Sequence, residues 1–389
     1  MLPVREFLSP SQVVVGCGAA ERTGDLCHKR GFKKGLIVTD GTMLELGLLQ
    51  RVEKSLGHND VMFAIYSGVE TEPVVEYVEE GLVAYWREGC DFVLAVGGGS
   101  ALDTAKAVAA MVTNPGHIQD YKGAGKLQRK GVPLVALPTT AGTGSEVTIF
   151  TIITDAATGV KMLIASSYVM PDIAILDPLL TLSCPPAVTA ATGIDALVHA
   201  IEAYVSVKAQ PTSDLFALAA VELIAANLRR AWASGDDLEA REGMVLGSLY
   251  AGHAFCNSSV ALVHGMSRPI GANFHVPHGV SNAALLKTVL EYSLEGSPAR
   301  YARIAGAMGE AVEGCSTAEA AALAVEAVSR LMADIRIPGL AELVPDREKF
   351  MQVVPRMAHD ALDSGSPANN PRQAAQEDIE QLYRLAYAG

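Results

Sequence analysis

The 389-residue chain is 50% hydrophobic and 19% charged, with a formal net charge of −13 at pH 7. This length exceeds the size at which one hydrophobic core stops growing, so we expect two domains, and the composition excludes a disordered chain. The acidic balance argues against nucleic acid or an anionic membrane surface as a partner, although it does not exclude a small anionic ligand.

The N-terminal sequence MLPVREFLSP lacks the basic start and the apolar run of a signal peptide. No segment approaches the roughly 18 uninterrupted apolar residues that a membrane helix needs. The six cysteines are scattered and form no C-x-x-C pair, which argues against a thiolate zinc site and against a disulfide framework. We therefore predict a cytoplasmic protein without a membrane partner.

The first half of the chain alternates strand and helix patterns. Apolar runs that predict strands are GLIVTD (35–40), DVMFAIY (60–66), DFVLAVGGG (91–99) and VPLVALPTT (132–140). The segments between them have the 3.6-residue period of amphipathic helices, so we expect an α/β domain with a mostly parallel sheet covered on both faces. The following stretch, EVTIFTIITDAATGVKMLI, predicts a hairpin around the turn at Asp155–Gly159.

A glycine-rich stretch, AVGGGSALDTAK, joins one of these strands to a helix. Backbone amides at such a turn, together with the positive end of the helix dipole, form an anion site, and glycine lets the backbone approach a diphosphate. The residues predicted to bind this anion are Gly97, Gly98, Gly99 and Ser100. A glycine triplet alone is equally compatible with a tight strand–helix turn that binds no ligand.

A second loop, LPTTAGTGSEVT, is rich in hydroxyl groups and follows the next strand. Its candidates for binding phosphate, ribose or a ring amide are Thr139, Thr140, Thr143 and Ser145. Two such loops at adjacent strand ends suit a dinucleotide, because ligands of open α/β sheets bind at the carboxyl edge. Asp40, which ends GLIVTD, can accept from an adenosine ribose diol and repel a 2′-phosphate, so it favours NAD over NADP.

The character of the chain changes at Pro185–Pro186, since neither residue can donate a hydrogen bond in a sheet or continue a helix. Beyond this point the sequence is rich in Ala and Leu with helical periods and has almost no β-branched runs. We predict an α/β domain over residues 1–183 and an all-helical domain over residues 184–389.

Two polar residues interrupt an apolar helix pattern in GIDALVHAIEAY. Asp195 and His199 are four residues apart and therefore share one helix face. A core salt bridge and one half of a metal site both explain this pair, because buried polar groups need partners.

Three further histidines, His264, His275 and His278, crowd the later stretch LVHGMSRPIGANFHVPHG. One carboxylate with two or three imidazoles suits Fe(II), Zn, Co or Ni and is a poor match for Ca or Mg. Spacing alone does not choose between His275 and His278 as the last ligand.

Four separated motifs resemble the group III, iron-containing alcohol dehydrogenases: GIDALVHAIEAYVS, the HG…PHG pair, GGGS-x-x-D-x-x-K and PTTAGTGSEVT. The resemblance covers nearly the whole chain. It implies a Rossmann-like α/β N-terminal domain and an all-α C-terminal domain, the architecture shared with dehydroquinate synthases, with one divalent metal between them. It further implies an NAD(H)-linked dehydrogenase of short-chain primary alcohols or aldehydes that forms a homodimer or a higher homo-oligomer.

The resemblance also assigns roles to individual residues. The implied ligands of Fe(II), for which Zn, Co or Ni are alternatives, are Asp195, His199, His264 and His278. The implied cofactor residues beyond the two loops are Asp103, Lys161 and Leu180, and the implied walls of the substrate pocket are Phe150 and Phe255. In such a site the metal polarises a carbonyl oxygen, and the nicotinamide carries the hydride.

Arg268 departs from the family pattern, in which many members have a proton-relaying histidine four residues after the third ligand. An arginine stays protonated, so it is a poor general base. It can bind an anionic group of the substrate or the cofactor diphosphate with its planar fork, or form a structural ion pair. His275 is then the candidate for the proton relay.

Three alternative functions remain open at this point. If Arg268 binds the substrate, the enzyme reduces an anionic aldehyde such as a semialdehyde, sulfoacetaldehyde or phosphonoacetaldehyde. A sugar-phosphate cyclase or glycerol-1-phosphate dehydrogenase shares the architecture, but its site would need more basic residues. A non-catalytic binding module conflicts with the intact candidate ligands and phosphate loops.

Overall fold

A computed structural model describes residues 4–389 of the chain; residues 1–3, where the predicted first domain and the segment tested for a signal peptide begin, lie outside the described residues. The described chain forms two compact units, one over Leu8–Cys184 and one that combines residues 4–7 with Pro185–Gly389. Phe7 joins the second unit because its ring stacks on Phe216, with 5.5 Å between ring centroids. The prediction had placed these first residues with the α/β domain.

The first unit contains two sheets. The strands of the described chain are β1 Gln12–Val15, β2 Lys34–Val38, β3 Met62–Tyr66, β4 Phe92–Gly97, β5 Gly123–Ala124, β6 Leu134–Pro138, β7 Phe150–Asp155, β8 Val160–Ala165 and β9 Ile173–Leu176. The larger sheet has the order β1-β9-β6-β4-β2-β3, and its strand pairs are parallel. The predicted parallel α/β fold is therefore confirmed.

Helices cover both faces of this sheet. The helices of the first unit are α1 Thr23–Lys29, α2 Gly41–Glu45, α3 Gln50–His58, α4 Val75–Glu88 and α5 Gly99–Met111. In β4, Val93 packs in a cluster with Val78 of α4 and Val108 of α5, whereas the next residue, Leu94, packs in another cluster with Leu56 of α3. Because both faces of the strands are buried, the strands appear in the sequence as continuous apolar runs rather than as alternating ones.

The smaller sheet has the order β5-β8-β7 and contains the predicted hairpin. Strands β7 and β8 pair antiparallel, and the turn between them closes with a hydrogen bond from the N–H of Gly159 to the carbonyl of Asp155 at 2.8 Å. Gly159 has a φ of 67°, a conformation that glycine adopts without steric cost. The hairpin prediction is confirmed.

Helix α5 fixes the second polar loop through two charged side chains, the buried Lys106 and the half-buried Asp103. The Nζ of Lys106, which is 1% exposed, donates to the carbonyl and hydroxyl of Thr148 at 3.0 Å each and to the carbonyl of Phe150 at 2.8 Å. One turn earlier, the carboxylate of Asp103 accepts from Ser145 Oγ at 2.6 Å and from the N–H of Ile152 at 2.8 Å. The loop conformation therefore depends on the helix that follows the glycine-rich turn.

The second unit is helical from Pro186 onward. Its helices are α6 Pro186–Val205, α7 Pro211–Ala233, α8 Leu238–Ser258, α9 Leu262–Phe274, α10 His278–Ser293, α11 Pro298–Ala307, α12 Thr317–Asp334, α13 Leu340–Leu343, α14 Arg347–Asp363 and α15 Gln376–Ala388. Pro186 occupies the first position of α6, where its missing N–H breaks no helical hydrogen bond. The double proline thus marks the start of the helical region, as the sequence indicates.

One helix of the described residues, α7, is long and apolar enough to cross a membrane by length and composition alone. The same test is passed by core helices of globular proteins, and α7 contributes Ala217, Val221 and Leu228 to the interior of its unit. Its length is therefore weak evidence for a membrane span.

Substitution of Lys106 on α5 tests whether its hydrogen bonds stabilise the second loop. Lys106→Met keeps the length of the side chain but removes the three hydrogen bonds to Thr148 and Phe150. We expect the free energy of unfolding to fall by about 2–4 kcal/mol, because buried acceptors lose a charged donor. Urea denaturation measures this loss, with Lys54→Met, a substitution of an exposed lysine on α3, as the control. Equal stability of the two variants would contradict the role assigned to Lys106.

Candidate functional site

Helix α6 carries three polar residues on one buried face. Asp195, His199 and Glu202 follow one another at intervals of four and three residues, so their side chains lie along one stripe of the helix. All three are buried, although the helix around them is built mainly from Ala, Ile, Leu and Val. A buried charge in such surroundings needs a compensating partner.

Helices α9 and α10 bring two more histidines to this face. His264 is the third residue of α9, and His278 is the first residue of α10. The glycine after His278 allows the close approach, because a Cβ at Gly279 would lie 2.6 Å from the carbonyl oxygen of Ala191 on α6. The glycine of the predicted PHG motif is thus required by helix packing.

The ligand atoms of Asp195, His199 and His264 lie within 4.8 Å of one another. His264 Nε2 and His278 Nε2 are each 3.8 Å from Asp195 Oδ1, and His199 Nδ1 is 4.0 Å from Asp195 Oδ2. Of the two histidines that spacing left open, the structure places His278 beside the carboxylate. His275 is exposed and ends helix α9 with a φ of 56°.

A side-chain amide lies among these ligand atoms. Asn282 Nδ2 is 2.6 Å from Asp195 Oδ1 and 3.2 Å from the Nε2 atoms of both His264 and His278. One nitrogen within hydrogen-bond distance of three such atoms shows that they converge on a common point. The buried Nδ1 of His199 has no hydrogen-bond partner in the described residues.

The surroundings of His264 and His278 favour their neutral form. Burial lowers the pKa of His278 to about 3 and lowers the pKa of His264 well below its usual value, and the nearby His199 and Arg268 lower both further. A neutral imidazole keeps a lone pair available for a metal ion. The protonation state therefore matches the chemistry expected of a ligand.

Glu202 contacts one candidate ligand, His264, at ring atom Nδ1, whereas Nε2 of the same ring faces Asp195. Its Oε2 lies 2.7 Å from His264 Nδ1 and accepts from the N–H of Ala261 at 2.8 Å, while Oε1 accepts from the N–H of Val263 at 2.6 Å. Burial raises the pKa of Glu202 to about 7, against the opposite effect of these backbone donors. The carboxylate joins α6 to the first turn of α9.

Two residues predicted beside the ligands also lie in this unit. Phe255 stacks on His199, with 4.1 Å between ring centroids. Arg268 donates from Nη1 to Ser366 Oγ at 3.0 Å, and in the described residues no carboxylate lies within 4.0 Å of its guanidinium. The structure therefore shows a hydrogen bond rather than the structural ion pair considered for Arg268.

In the first unit, the predicted anion-binding residues collect at one edge of the larger sheet. Asp40 follows β2, Gly97 ends β4 and Thr139 follows β6, and these three strands are neighbours. Asp40 caps α2 by accepting from the N–H of Met43 at 3.0 Å. A Cβ on Gly97 would lie 3.4 Å from Asp40 Oδ2, so the carboxylate borders the glycine-rich turn.

The glycine-rich turn also borders the second loop. A Cβ on Gly98 would lie 3.7 Å from Thr140 Cγ2, and one on Gly99 would lie 2.7 Å from Thr143 Cγ2. Only a residue without a side chain fits at the second of these positions. Ser100 occupies the first turn of α5 and is half-buried.

The remaining predicted cofactor residues have partners within the protein. Asp103 and Ser145 bond to each other, and burial raises the pKa of Asp103. Lys161 Nζ lies 2.5 Å from Glu72 Oε2, and Leu180 is buried in the core cluster that contains Leu56. Phe150 is half-buried at the start of β7. The structure thus gives these residues contacts that stabilise the unit itself.

Sequence reasoning missed Glu202 and Asn282. Both could have been found from helical spacing, because Glu202 lies three residues after His199 and Asn282 lies four residues after His278. Each therefore shares a helix face with a predicted ligand.

Two features define a class of protein: a cluster of one carboxylate and three imidazoles, and a glycine-rich turn at the carboxyl edge of a parallel sheet. This class is the metal-dependent oxidoreductases that use a dinucleotide, since the donor set suits a transition metal and the turn suits a diphosphate.

Comparison with known proteins identifies the family. The sequence profile of iron-containing alcohol dehydrogenases matches residues 10–178, and that of the C-terminal part of the Fe-containing alcohol dehydrogenase family matches residues 189–387. The chain belongs to the iron-containing alcohol dehydrogenase family. It is an oxidoreductase whose cofactors are NAD and iron.

Several relatives match over almost their full length. The chain is 40% identical over 385 residues to the 1,3-propanediol dehydrogenase of Klebsiella pneumoniae, covering 98% of each chain. It is also 40% identical to the lactaldehyde reductase of Escherichia coli K12, covering 96% of this chain and 97% of the relative. A long-chain-alcohol dehydrogenase of Geobacillus thermodenitrificans is 40% identical, with 100% and 98% covered.

Solved structures agree with this assignment. A crystal structure of 1,3-propanediol oxidoreductase matches with a TM-score of 0.96 and 40% identity, covering 99% of this chain and 100% of that one. Sulfoacetaldehyde reductase from Bifidobacterium kashiwanohense, solved in complex with NAD+, matches with a TM-score of 0.89 and 29% identity over the full length of both chains. The predicted fold, family and dehydrogenase activity are confirmed, in preference to the cyclase and binding-module alternatives.

Proposed function

We propose that the enzyme interconverts short-chain primary alcohols and aldehydes, and that its metal is held by Asp195, His199, His264 and His278. The observation that carries this proposal is the convergence of their ligand atoms, shown by the single amide nitrogen of Asn282 within 3.2 Å of three of them. The relatives named for propanediol and lactaldehyde support a small polar substrate.

The residues fit a divalent transition metal. The set offers one carboxylate and three imidazoles, without thiolate and without the many oxygen ligands that Ca requires. The unpartnered Nδ1 of buried His199 and the buried Asp195 carboxylate both gain from a cation at the point of convergence. A cation there would also replace the hydrogen bonds that Asn282 now donates.

We propose that the α/β domain over residues 1–183 binds NAD(H) and that the helical domain over residues 184–389 binds the metal. Gly97, Gly98, Gly99 and Ser100 would donate backbone and hydroxyl hydrogen bonds to the diphosphate. The proposed contacts from the second loop and the hairpin region are Thr139, Thr140, Thr143, Ser145, Asp103, Lys161 and Leu180. Of these, Asp103 acts by orienting Ser145.

When bound, the metal polarises the carbonyl oxygen of the substrate and NAD(H) carries the hydride. The protein contributes the imidazoles of His264 and His278, whose pKa values burial lowers so that each ring keeps a free lone pair, and a carboxylate fixed on α6. Phe255 covers one face of His199 and is proposed to exclude water from the substrate carbon. Phe150, half-buried at the start of β7, is proposed separately as a substrate-pocket residue. We propose that His275, which is exposed, exchanges the reaction proton with solvent.

The proposal also covers the cellular compartment of the enzyme and its oligomeric state. We propose a cytoplasmic enzyme, since none of the six cysteines forms a disulfide in the described residues. We also propose a homodimer or a higher homo-oligomer. Strand β1 is at the edge of the larger sheet, and such an edge can pair with its counterpart across a two-fold axis.

Replacing one ligand tests the metal site. In His264→Ala we expect less than about one tenth of the metal to remain, and turnover to be lost with it, because a ligand set of three no longer holds the ion. Metal content by mass spectrometry and the rate of NADH oxidation measure these two effects. His359→Ala, which removes an exposed histidine of α14, should change neither. A folded His264→Ala protein with full metal and full activity would overturn the assignment.

The choice of cofactor depends on Asp40. Asp40→Asn keeps a residue that caps α2 equally well but removes the charge that faces a 2′-phosphate. The ratio of kcat/KM for NADPH to that for NADH should rise about ten- to a hundredfold. Asp25→Asn, an exposed change on α1, is the matched control. An unchanged ratio, or a natural preference for NADPH, would show that Asp40 does not face the ribose.

A second candidate function is supported by Arg268. Its guanidinium lies on α9 one turn after His264, and it lacks a carboxylate within 4.0 Å in the described residues. Burial lowers the pKa of Arg268, so an anionic partner would stabilise the charged form. A relative in the comparisons is named for sulfoacetaldehyde, an anionic aldehyde. We therefore propose anionic aldehydes as the alternative substrate class.

A comparison of charged and neutral aldehydes distinguishes the two candidate substrate classes. In Arg268→Ala, kcat/KM for succinic semialdehyde or sulfoacetaldehyde should fall about ten- to a hundredfold, the value of a charge-assisted bidentate contact, while butanal should be nearly unaffected. Equal losses for charged and neutral aldehydes would mean that Arg268 serves the cofactor or the fold, and the neutral substrate class would stand.

A further inference from the structure

Glu202 is a buried carboxylate that the proposed reaction does not use. It is 3% exposed and lies on α6, one turn beyond His199. Its two oxygens have three neighbours, which are the N–H groups of Ala261 and Val263 and the Nδ1 of His264. Each contact is between 2.6 and 2.8 Å, so both oxygens are fully engaged.

The chemistry of these neighbours determines where the proton of His264 lies. A backbone N–H can only donate, so both oxygens of Glu202 act as acceptors. The amide nitrogen of Asn282, which can only donate, lies 3.2 Å from His264 Nε2, so Nε2 accepts, Nδ1 carries the hydrogen, and Glu202 accepts from Nδ1. The lone pair is then on Nε2, the atom that lies 3.8 Å from Asp195 Oδ1.

We propose that Glu202 is a positioning residue for the metal centre: it fixes His264 in the Nδ1–H tautomer and directs Nε2 to the point where the ligand atoms converge. The proposal rests on the proposed ligand role of His264. A carboxylate behind a ligating imidazole holds the ring in orientation and raises its basicity. The same group also satisfies two N–H groups at the start of α9, so one side chain sets the position and the rotation of the ligand.

Glutamine cannot reproduce this arrangement. If its oxygen faces Ala261 and His264, its amide nitrogen faces the N–H of Val263, and two donors meet. If the amide is reversed, its nitrogen faces the N–H of Ala261 and donates to His264 Nδ1, which moves the proton of the ring to Nε2. Glu202→Gln therefore removes one charge and also disfavours the tautomer that binds metal.

A control is needed because Glu202 also stabilises a helix terminus. Asp237 is the N-cap of α8 in the same unit, and its carboxylate accepts from the N–H of Ala240 at 3.0 Å. It has no contact with the ligand histidines in the described residues. Asp237→Asn thus changes a capping carboxylate to an amide without changing the environment of a ligand.

The experiment compares Glu202→Gln, Asp237→Asn and the unchanged protein. The dissociation constant for Zn²⁺ is measured by competition with a chromophoric chelator, and Glu202→Gln should raise it about ten- to a hundredfold. The ¹⁵N shifts of labelled histidine in the metal-free proteins report the tautomer of His264, which should change from Nδ1–H alone to a mixture that contains Nε2–H in Glu202→Gln. Asp237→Asn should leave both measurements unchanged.

Different results would contradict the positioning role of Glu202 and the ligand role of His264. If Glu202→Gln folds and keeps both the zinc affinity and the tautomer, the positioning role is wrong, even if its thermal stability falls. If the variant does not fold, Glu202→Asp replaces it, since the charge remains but is one methylene further from His264. Zinc affinity weaker than in Asp237→Asn then supports the proposal, and equal affinity overturns it. Metal retention by His264→Ala would instead refute the ligand assignment itself.

Discussion

The carboxylate of Asp195 sets the constraint on which the second unit depends. It is 3% exposed on a helix whose interior is largely aliphatic, and a buried negative charge is strongly unfavourable without a partner. Ring nitrogens of histidines from three helices surround it and can hold a cation at one point, and the amide nitrogen of Asn282 donates to it at 2.6 Å. Helix packing follows this requirement, because Gly279 lets α10 approach α6 closely enough to deliver His278.

The two units position their candidate binding groups in different ways. In the first, the end of a parallel sheet presents backbone amides, and the loop beside them is fixed by buried side chains of α5 such as Lys106. In the second, side chains on long helices supply the donors, and a hydrogen bond behind His264 restricts its rotation. Both solutions place the binding groups on elements whose positions are fixed by packing before any ligand arrives.

Local sequence patterns predicted β2, β3, β4 and β6, the hairpin at Gly159 and the change to helices at Pro186, because each depends on periodicity or on residues with fixed backbone preferences. The short strands β5 and β9 were not predicted. The patterns also placed Asp195 and His199 on one face. Spacing alone could not choose His278 over His275, since the choice depends on how α10 packs against α6, and only the family resemblance indicated His278. The hydrogen bonds of Lys106 likewise join segments more than forty residues apart, and no local pattern specifies them.

The position of Arg268 shows how such a framework can change its substrate. Relatives with 40% identity carry the names of a diol, an aldehyde and a long-chain alcohol, so the shared fold does not by itself specify the substrate. In this chain Arg268 follows His264 by four residues on α9, and a residue at that spacing lies on the same helix face as the ligand. A single side chain there changes the charge beside the ligand cluster without moving any of its members. Burial opposes the guanidinium charge of Arg268 while the carboxylate of Glu202 favours it, and a negative group on a substrate would add to that stabilisation.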